Sequence, residues 1–122
     1  MNCLLAANPG LRKRDGTIIN FITHPTSEEK PCILSKKIAI PAGMKTTLEF
    51  KVKSRPRANW GLIVRVNKQE LLRKTIETTK FKDISIDLSG YGEKTVEIEL
   101  VNQATGWERE YGHWKDLKIK SR

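Results

Sequence analysis

Hydrophobic and polar residues alternate with a period of two along most of this chain. Residues 46–53 show it most cleanly: Leu48, Phe50 and Val52 fall on one side, while Glu49, Lys51 and Lys53 fall on the other. A strand with one buried face produces that pattern, because successive side chains point to opposite faces of a sheet. Residues 60–66 repeat it through Trp60, Leu62, Val64 and Val66, and residues 84–88 through Ile84, Ile86 and Leu88. Val96, Ile98 and Leu100 make another inward row, with Glu97 and Glu99 expected outward. Residues 113–120 close the chain with Leu117 and Ile119 packing and Lys118 and Lys120 facing water. Weaker runs lie at 17–22 and 33–40, the latter ended by the turn signal Pro41-Ala42-Gly43. Residues 67–76 admit two readings. Asn67 and Glu70 have the spacing of a helix cap, but the apolar stripe that follows is thin for a helix. A hairpin turn at 67–69 gives the preceding strand its partner, and is preferred.

About eight short strands without strand–helix alternation predict an all-β chain folded as an antiparallel β-sandwich. Phe50, Leu62, Val64, Ile86, Val96, Ile98 and Leu100 are its expected core. At 122 residues the chain makes one domain, large enough for a core without staples. Residues 17–122 are assigned to that domain. Residues 1–16, with the charged run Arg12-Lys13-Arg14-Asp15-Gly16, are assigned to a loosely ordered N-terminal segment. No apolar run reaches the length of a membrane span, so the chain is expected to be soluble. The start lacks the basic region of a secretion signal. Cys3 and Cys32 fit either one disulfide or two free thiols, and leave the compartment open.

The C-terminal half carries recognisable text. Asp87-Leu88-Ser89-Gly90-Tyr91-Gly92-Glu93-Lys94-Thr95-Val96 runs into Glu97-Ile98-Glu99-Leu100-Val101-Asn102, and the chain ends on His113-Trp114-Lys115-Asp116-Leu117-Lys118-Ile119. This resembles jelly-roll domains of the galactose-binding-like type, which include many carbohydrate-binding modules. In those domains a DLS-x-Y-x-G-K-x-V segment leads into a core strand, and a W/Y-x-D-x-x-I strand ends the fold. Residues 60–70 are similar to their W-x-L-x-V-x-V-x-G-x-x-L hairpin, and the whole resemblance covers about residues 46–120. One departure stands out: Glu93 occupies the place of the family's glycine. The resemblance implies a non-catalytic sandwich outside the cytoplasm (periplasmic, secreted or on the cell surface), of the kind appended to bacterial enzymes and surface proteins. A structural calcium ion occurs in such modules, and Asp116 is the one residue here that the resemblance nominates for it.

Candidate chemistry is thin and points to binding. Sugar recognition sets a flat aromatic face against the apolar side of a pyranose, with amides and charges taking the hydroxyls. Residues 106–114 gather Trp107, Glu108, Arg109, Tyr111, His113 and Trp114, with Asn102 just before them. Trp60 and Arg57 complete the ligand-binding candidates, although a sandwich also commonly buries a tryptophan such as Trp60 or Trp114. Lys51, Lys53, Arg55 and Arg57 place four cations near Trp60 and would suit phosphate or sulfate groups. The plainer alternative is that outward lysines solubilise the sheet and guard its edges.

Glu97 with Glu99, and Glu108 with Glu110, form carboxylate pairs, but glycoside hydrolysis needs a deep cleft that a lone sandwich seldom builds. His24 and His113 lack a second ligand at helical spacing, and no phosphate loop or nucleophile elbow is present. The expectation is therefore no enzyme and no cofactor. The favoured reading is a carbohydrate-binding or cell-surface adhesion module taking a glycan or polysaccharide. The rivals are a structural or protein-interaction sandwich serving a neighbouring domain, and a polyanion-binding module. Nucleic acid is disfavoured because the charge of +9 is spread along the chain rather than clustered.

Overall fold

The computed structural model describes residues 3–5, 18–25, 31–103 and 112–122. Among these the strands are β1 (Cys3–Leu5), β2 (Ile18–Pro25), β3 (Cys32–Ala39), β4 (Thr46–Lys53), β5 (Trp60–Val66), β6 (Gln69–Ile76), β7 (Lys82–Asp87), β8 (Thr95–Gln103) and β9 (Gly112–Ser121). They form a five-stranded sheet in the order β1-β2-β9-β4-β7 and a four-stranded sheet in the order β3-β8-β5-β6. Every pairing is antiparallel. Only β1–β2 and β5–β6 are consecutive strands within one sheet; each other step along the chain crosses between sheets. The fold is an all-β sandwich.

The alternation explains which residues meet. Leu48, Phe50 and Val52 of β4 face Trp60, Leu62, Val64 and Val66 of β5 and Val96, Ile98 and Leu100 of β8 in one buried cluster. Ile86 differs from expectation: near the end of the outermost strand β7 it is only partly buried, because no further strand flanks it. Trp114 anchors the cluster, its ring centroid 5.3 Å from Phe50 and 5.1 Å from Trp60. Both indoles spend their N–H groups inside the protein, as buried tryptophans must. Trp60 Nε1 donates to the Lys53 carbonyl at 3.0 Å, and Trp114 Nε1 donates to Thr23 Oγ1 at 2.9 Å. Asn102 Nδ2 donates to that same Oγ1 at 3.1 Å and to the Thr23 carbonyl at 3.3 Å. Thr23 lies on the five-stranded sheet and Asn102 on the four-stranded one, so this buried hydroxyl ties the sheets together.

Residues 67–76 form the hairpin. Asn67 and Lys68 have φ of 52° and 68°, the pair of positive values that a two-residue type I′ turn requires. Asn67 also accepts the Glu97 amide on its Oδ1 at 3.0 Å, fastening the turn to β8. Glu99 is a correction to the sequence reading. Its place in the alternation is outward, yet it is buried, as are Ile63 and Val101 on the same outer face of the four-stranded sheet. Its Oε2 lies 3.3 Å from Lys68 Nζ, which also reaches Glu97 at 3.2 Å. Cys32 is buried and disulfide-bonded, and the chain's other cysteine is Cys3 on β1. Such a bond persists in an oxidising environment.

Two positions carry backbone constraints. Glu93 has φ of 67°, held there by its amide donating to the Ile40 carbonyl at 2.9 Å. This is a conformation that a side chain makes costly, and the family's glycine would adopt it freely. Glu93→Gly is therefore expected to raise stability by up to about 1 kcal/mol in urea unfolding. Gly112 has the opposite problem: a Cβ there would lie 2.9 Å from Trp60 Cε2 and 3.0 Å from Asn102 Nδ2. Gly112→Ala should lower stability by about 1–3 kcal/mol in the same assay, because neither a packed indole ring nor a bonded amide can give way cheaply.

Candidate functional site

One end of the sandwich collects the connections that follow β4, β6 and β8. The register places them together: Lys53 pairs with His113, Trp60 with Ile76, and Gly61 with Gln103. The turn after β4 is firmly held. Ser54 is buried, and its amide donates to the Thr78 carbonyl at 2.8 Å, locking this turn to the β6–β7 connection. Arg57 has φ of 59° and projects as an exposed residue at the turn's tip. Arg55 Nε donates to His113 Nε2 at 3.4 Å.

That contact requires an unprotonated Nε2, and the surroundings agree. Burial pushes the His113 pKa below its ordinary value, and the positive charges of Lys53 and Arg55 push it further the same way. Beyond this end, Phe81 is exposed and carries two cations on its ring, with Lys53 Nζ 5.0 Å and Lys115 Nζ 5.3 Å from the centroid.

Of the sequence-predicted ligand residues, Trp107, Glu108, Arg109 and Tyr111 lie outside the described residues. Arg57 and His113 sit at the loop end. Trp60 and Asn102 lie at the same end but inside the core: both are fully buried, Trp60 against Trp114 and Asn102 on Thr23, so neither offers a face to a ligand. The physical reason is that both lie on inward rows of their strands. Asp116 is partly buried at an irregularity in the β4–β9 register, with φ of 54°. It lines a groove of about 450 Å³ with Glu49, Lys51, Asp83, Ser85 and Lys118. Among the described residues no three His, Cys, Asp or Glu side chains are grouped to hold a metal ion. The sequence reading missed Thr23, whose polar–apolar setting in β2 gives no hint of its role. It also missed Phe81, one residue before β7 and outside any alternating run.

Comparison with known proteins locates the fold. No family model and no curated protein sequence matches the chain. Solved structures do. The C-terminal domain of EclA, a sugar-binding protein, superposes with a TM-score of 0.65 at 18% identity, covering 94% of this chain and 86% of that one. The Clostridium thermocellum xylanase 10B CBM22-1–GH10 structure, complexed with xylohexaose, gives 0.63 at 14% identity, covering 99% of this chain and 24% of that one. The Stig cyclase Fisc from Fischerella sp. TAU gives 0.57 at 11% identity, covering 99% of this chain and 85% of that one. Carbohydrate-binding modules recur among the neighbours. The chain has the galactose-binding-like jelly-roll fold. Identities this low speak for the fold alone.

His113 gives a pH test with a definite sign. Its folded pKa is lowered, so the unfolded chain takes up the proton first as pH falls. The associated stability is present above about 6.5 and is lost on acidification through the lowered folded value. The His113 ring resonances in an NMR titration should move at a midpoint below the ordinary histidine value. The double substitution Lys53→Gln/Arg55→Gln should raise that midpoint without fully restoring it, since burial is the larger cause.

Proposed function

We propose that this domain is a non-catalytic carbohydrate-binding module that takes a glycan at the loop end of the sandwich. The observation that carries the reading is the recurrence of sugar-binding proteins and carbohydrate-binding modules among structures sharing this fold. The sequence adds the means. Trp107 and Tyr111 supply aromatic faces for stacking, and Glu108 and Arg109 supply polar groups for hydroxyls, within the connection between β8 and β9. Arg57 and the neutral imidazole of His113 border the same end, where they add hydrogen-bonding partners. No bond is made or broken; affinity comes from stacking and from polar contacts that replace water.

The cyclases among the neighbours make an enzyme the rival reading, since Fisc is described in complex with an indole-bearing ligand. Chemistry on such a ligand calls for an enclosed apolar cavity. A groove among the described residues is instead lined mostly by charged side chains, which does not suit an apolar indole.

The test is a glycan array read beside a melting curve. Trp107→Ala should abolish binding of any captured glycan while shifting the melting temperature little, a stacked aromatic contributing about 1–2 kcal/mol. Trp114→Ala should instead destabilise the fold, through loss of its contacts with Phe50 and Trp60. A wild-type chain that captures no glycan at millimolar concentration defeats the reading.

A further inference from the structure

His113 stands among cations. Lys53 on β4 and Ile22 on β2 are its cross-strand partners, and Lys115 follows two residues along its own strand. The turn after β4 brings Arg55 to it, and the charges acting on the ring are those of Lys53 and Arg55. The Arg55–His113 contact has a chemical polarity. A guanidinium carries donors only, so Arg55 Nε needs the lone pair of His113 Nε2, 3.4 Å away. Once Nε2 takes a proton it becomes a donor too, and an attraction turns into repulsion between two cations. The partners are not equally free to part. Lys53 and Lys115 lie on paired strands with their Nζ groups over Phe81, and His113 is half-buried between β2 and β4. Arg55 is exposed, on a turn of residues 54–59 whose two stems are fixed. Ser54 holds the first stem, its amide and its hydroxyl both donating to the Thr78 carbonyl, at 2.8 and 3.3 Å. The second stem runs into buried Trp60. Between them the Ala58 amide donates to the Arg55 carbonyl at 3.1 Å, and Arg57 at the tip has φ of 59°. That conformation is costly for a residue with a side chain, so a turn released from β9 has a strain to relax.

We propose that the Arg55–His113 contact is a proton-operated latch, closed while Nε2 is unprotonated and opened when Nε2 takes a proton. Closed, it holds residues 55–58 against β9; open, it lets the turn move away and take Arg57 with it. The same cationic, half-buried surroundings hold the His113 pKa below its ordinary 6.5, so the release falls on the acid side of that value. The latch itself stands on donor–acceptor geometry. That its release bears on ligand capture rests on the carbohydrate-binding reading above, since Arg57 and His113 border the end where the glycan is placed.

The experiment follows the full 122-residue chain by NMR from about pH 8 to about pH 4, reading the His113 ring together with the amides of Arg55, Arg57 and Ala58. The three amides should shift with the midpoint of the ring. Their protection from hydrogen exchange should fall roughly threefold or more on the acid side, while amides of β5 and β8 keep theirs. His113→Gln offers a side-chain carbonyl that accepts from Arg55 and takes up no proton, so its turn should keep the neutral-pH shifts throughout. Arg55→Leu, at an exposed position, removes the donor; the turn should then be released at every pH while the ring still titrates. Three outcomes overturn the proposal. In the wild type, the ring titrates while the three amides stay still, or the ring takes up no proton above about pH 4. In His113→Gln, the turn moves at the wild-type midpoint, which makes some other group the trigger. Should His113→Gln fail to fold, the wild type and Arg55→Leu decide. A chain that captures no glycan defeats the carbohydrate-binding reading and changes none of these readouts, so the two failures are told apart.

Discussion

The buried hydroxyl of Thr23 is the point on which the two sheets agree. It accepts from Trp114 on its own sheet and from Asn102 on the facing one, deep among apolar side chains. A polar group so placed is costly unless satisfied, and one hydrogen bond of this kind is worth more in fixing geometry than in net stability. Apolar packing alone tolerates sliding of one sheet over the other; a threonine that must meet an indole N–H and an amide at once does not. Trp60 extends the same constraint, since its ring touches Trp114 while its N–H is spent on the Lys53 carbonyl. From this knot the register of β2, β5, β8 and β9 follows.

How far the fold could be read from the sequence depends on how local its signals are. The alternation in β4, β5, β8 and β9 is a property of single strands, and it marks their inward rows correctly at Phe50, Leu62, Val64 and Ile98. The hairpin at Asn67-Lys68 is also local, decided by two residues of which one, asparagine, tolerates positive φ. Glu99 misleads because its burial is decided by the third dimension: it lies beside Ile63 and Val101 on a face that alternation alone assigns to water. Ile86 misleads in the other direction, since its exposure depends on its strand lying at a sheet edge.

The candidate site is written in the sequence as chemistry, not as geometry. Aromatic and charged residues in one short segment suggest sugar recognition, but sequence spacing does not say which tryptophans face outward. Trp60 and Asn102 look like ligand groups in a list and prove to be structural once strand parity and sheet order combine. The lysines of β4 and β9 show the reverse. Spread along the chain, these cations look unrelated; antiparallel pairing of β4 with β9 brings residues sixty or more positions apart onto one face, together with Glu49, Asp83 and Asp87. Net charge counted along a sequence thus says little about local potential, which depends on which strands become neighbours.

Gly112 has a consequence for how such a domain diversifies. The β8–β9 connection departs just after Asn102, fixed on Thr23, and returns at a residue pressed against the Trp60 ring. Its two stems are therefore set by the core, independently of what lies between them. Residues 104–111 are in effect a cassette between two packed posts, and exchanging them is expected to leave the strand register below as it is. Replacing those eight residues would then leave the sheets that carry them the same.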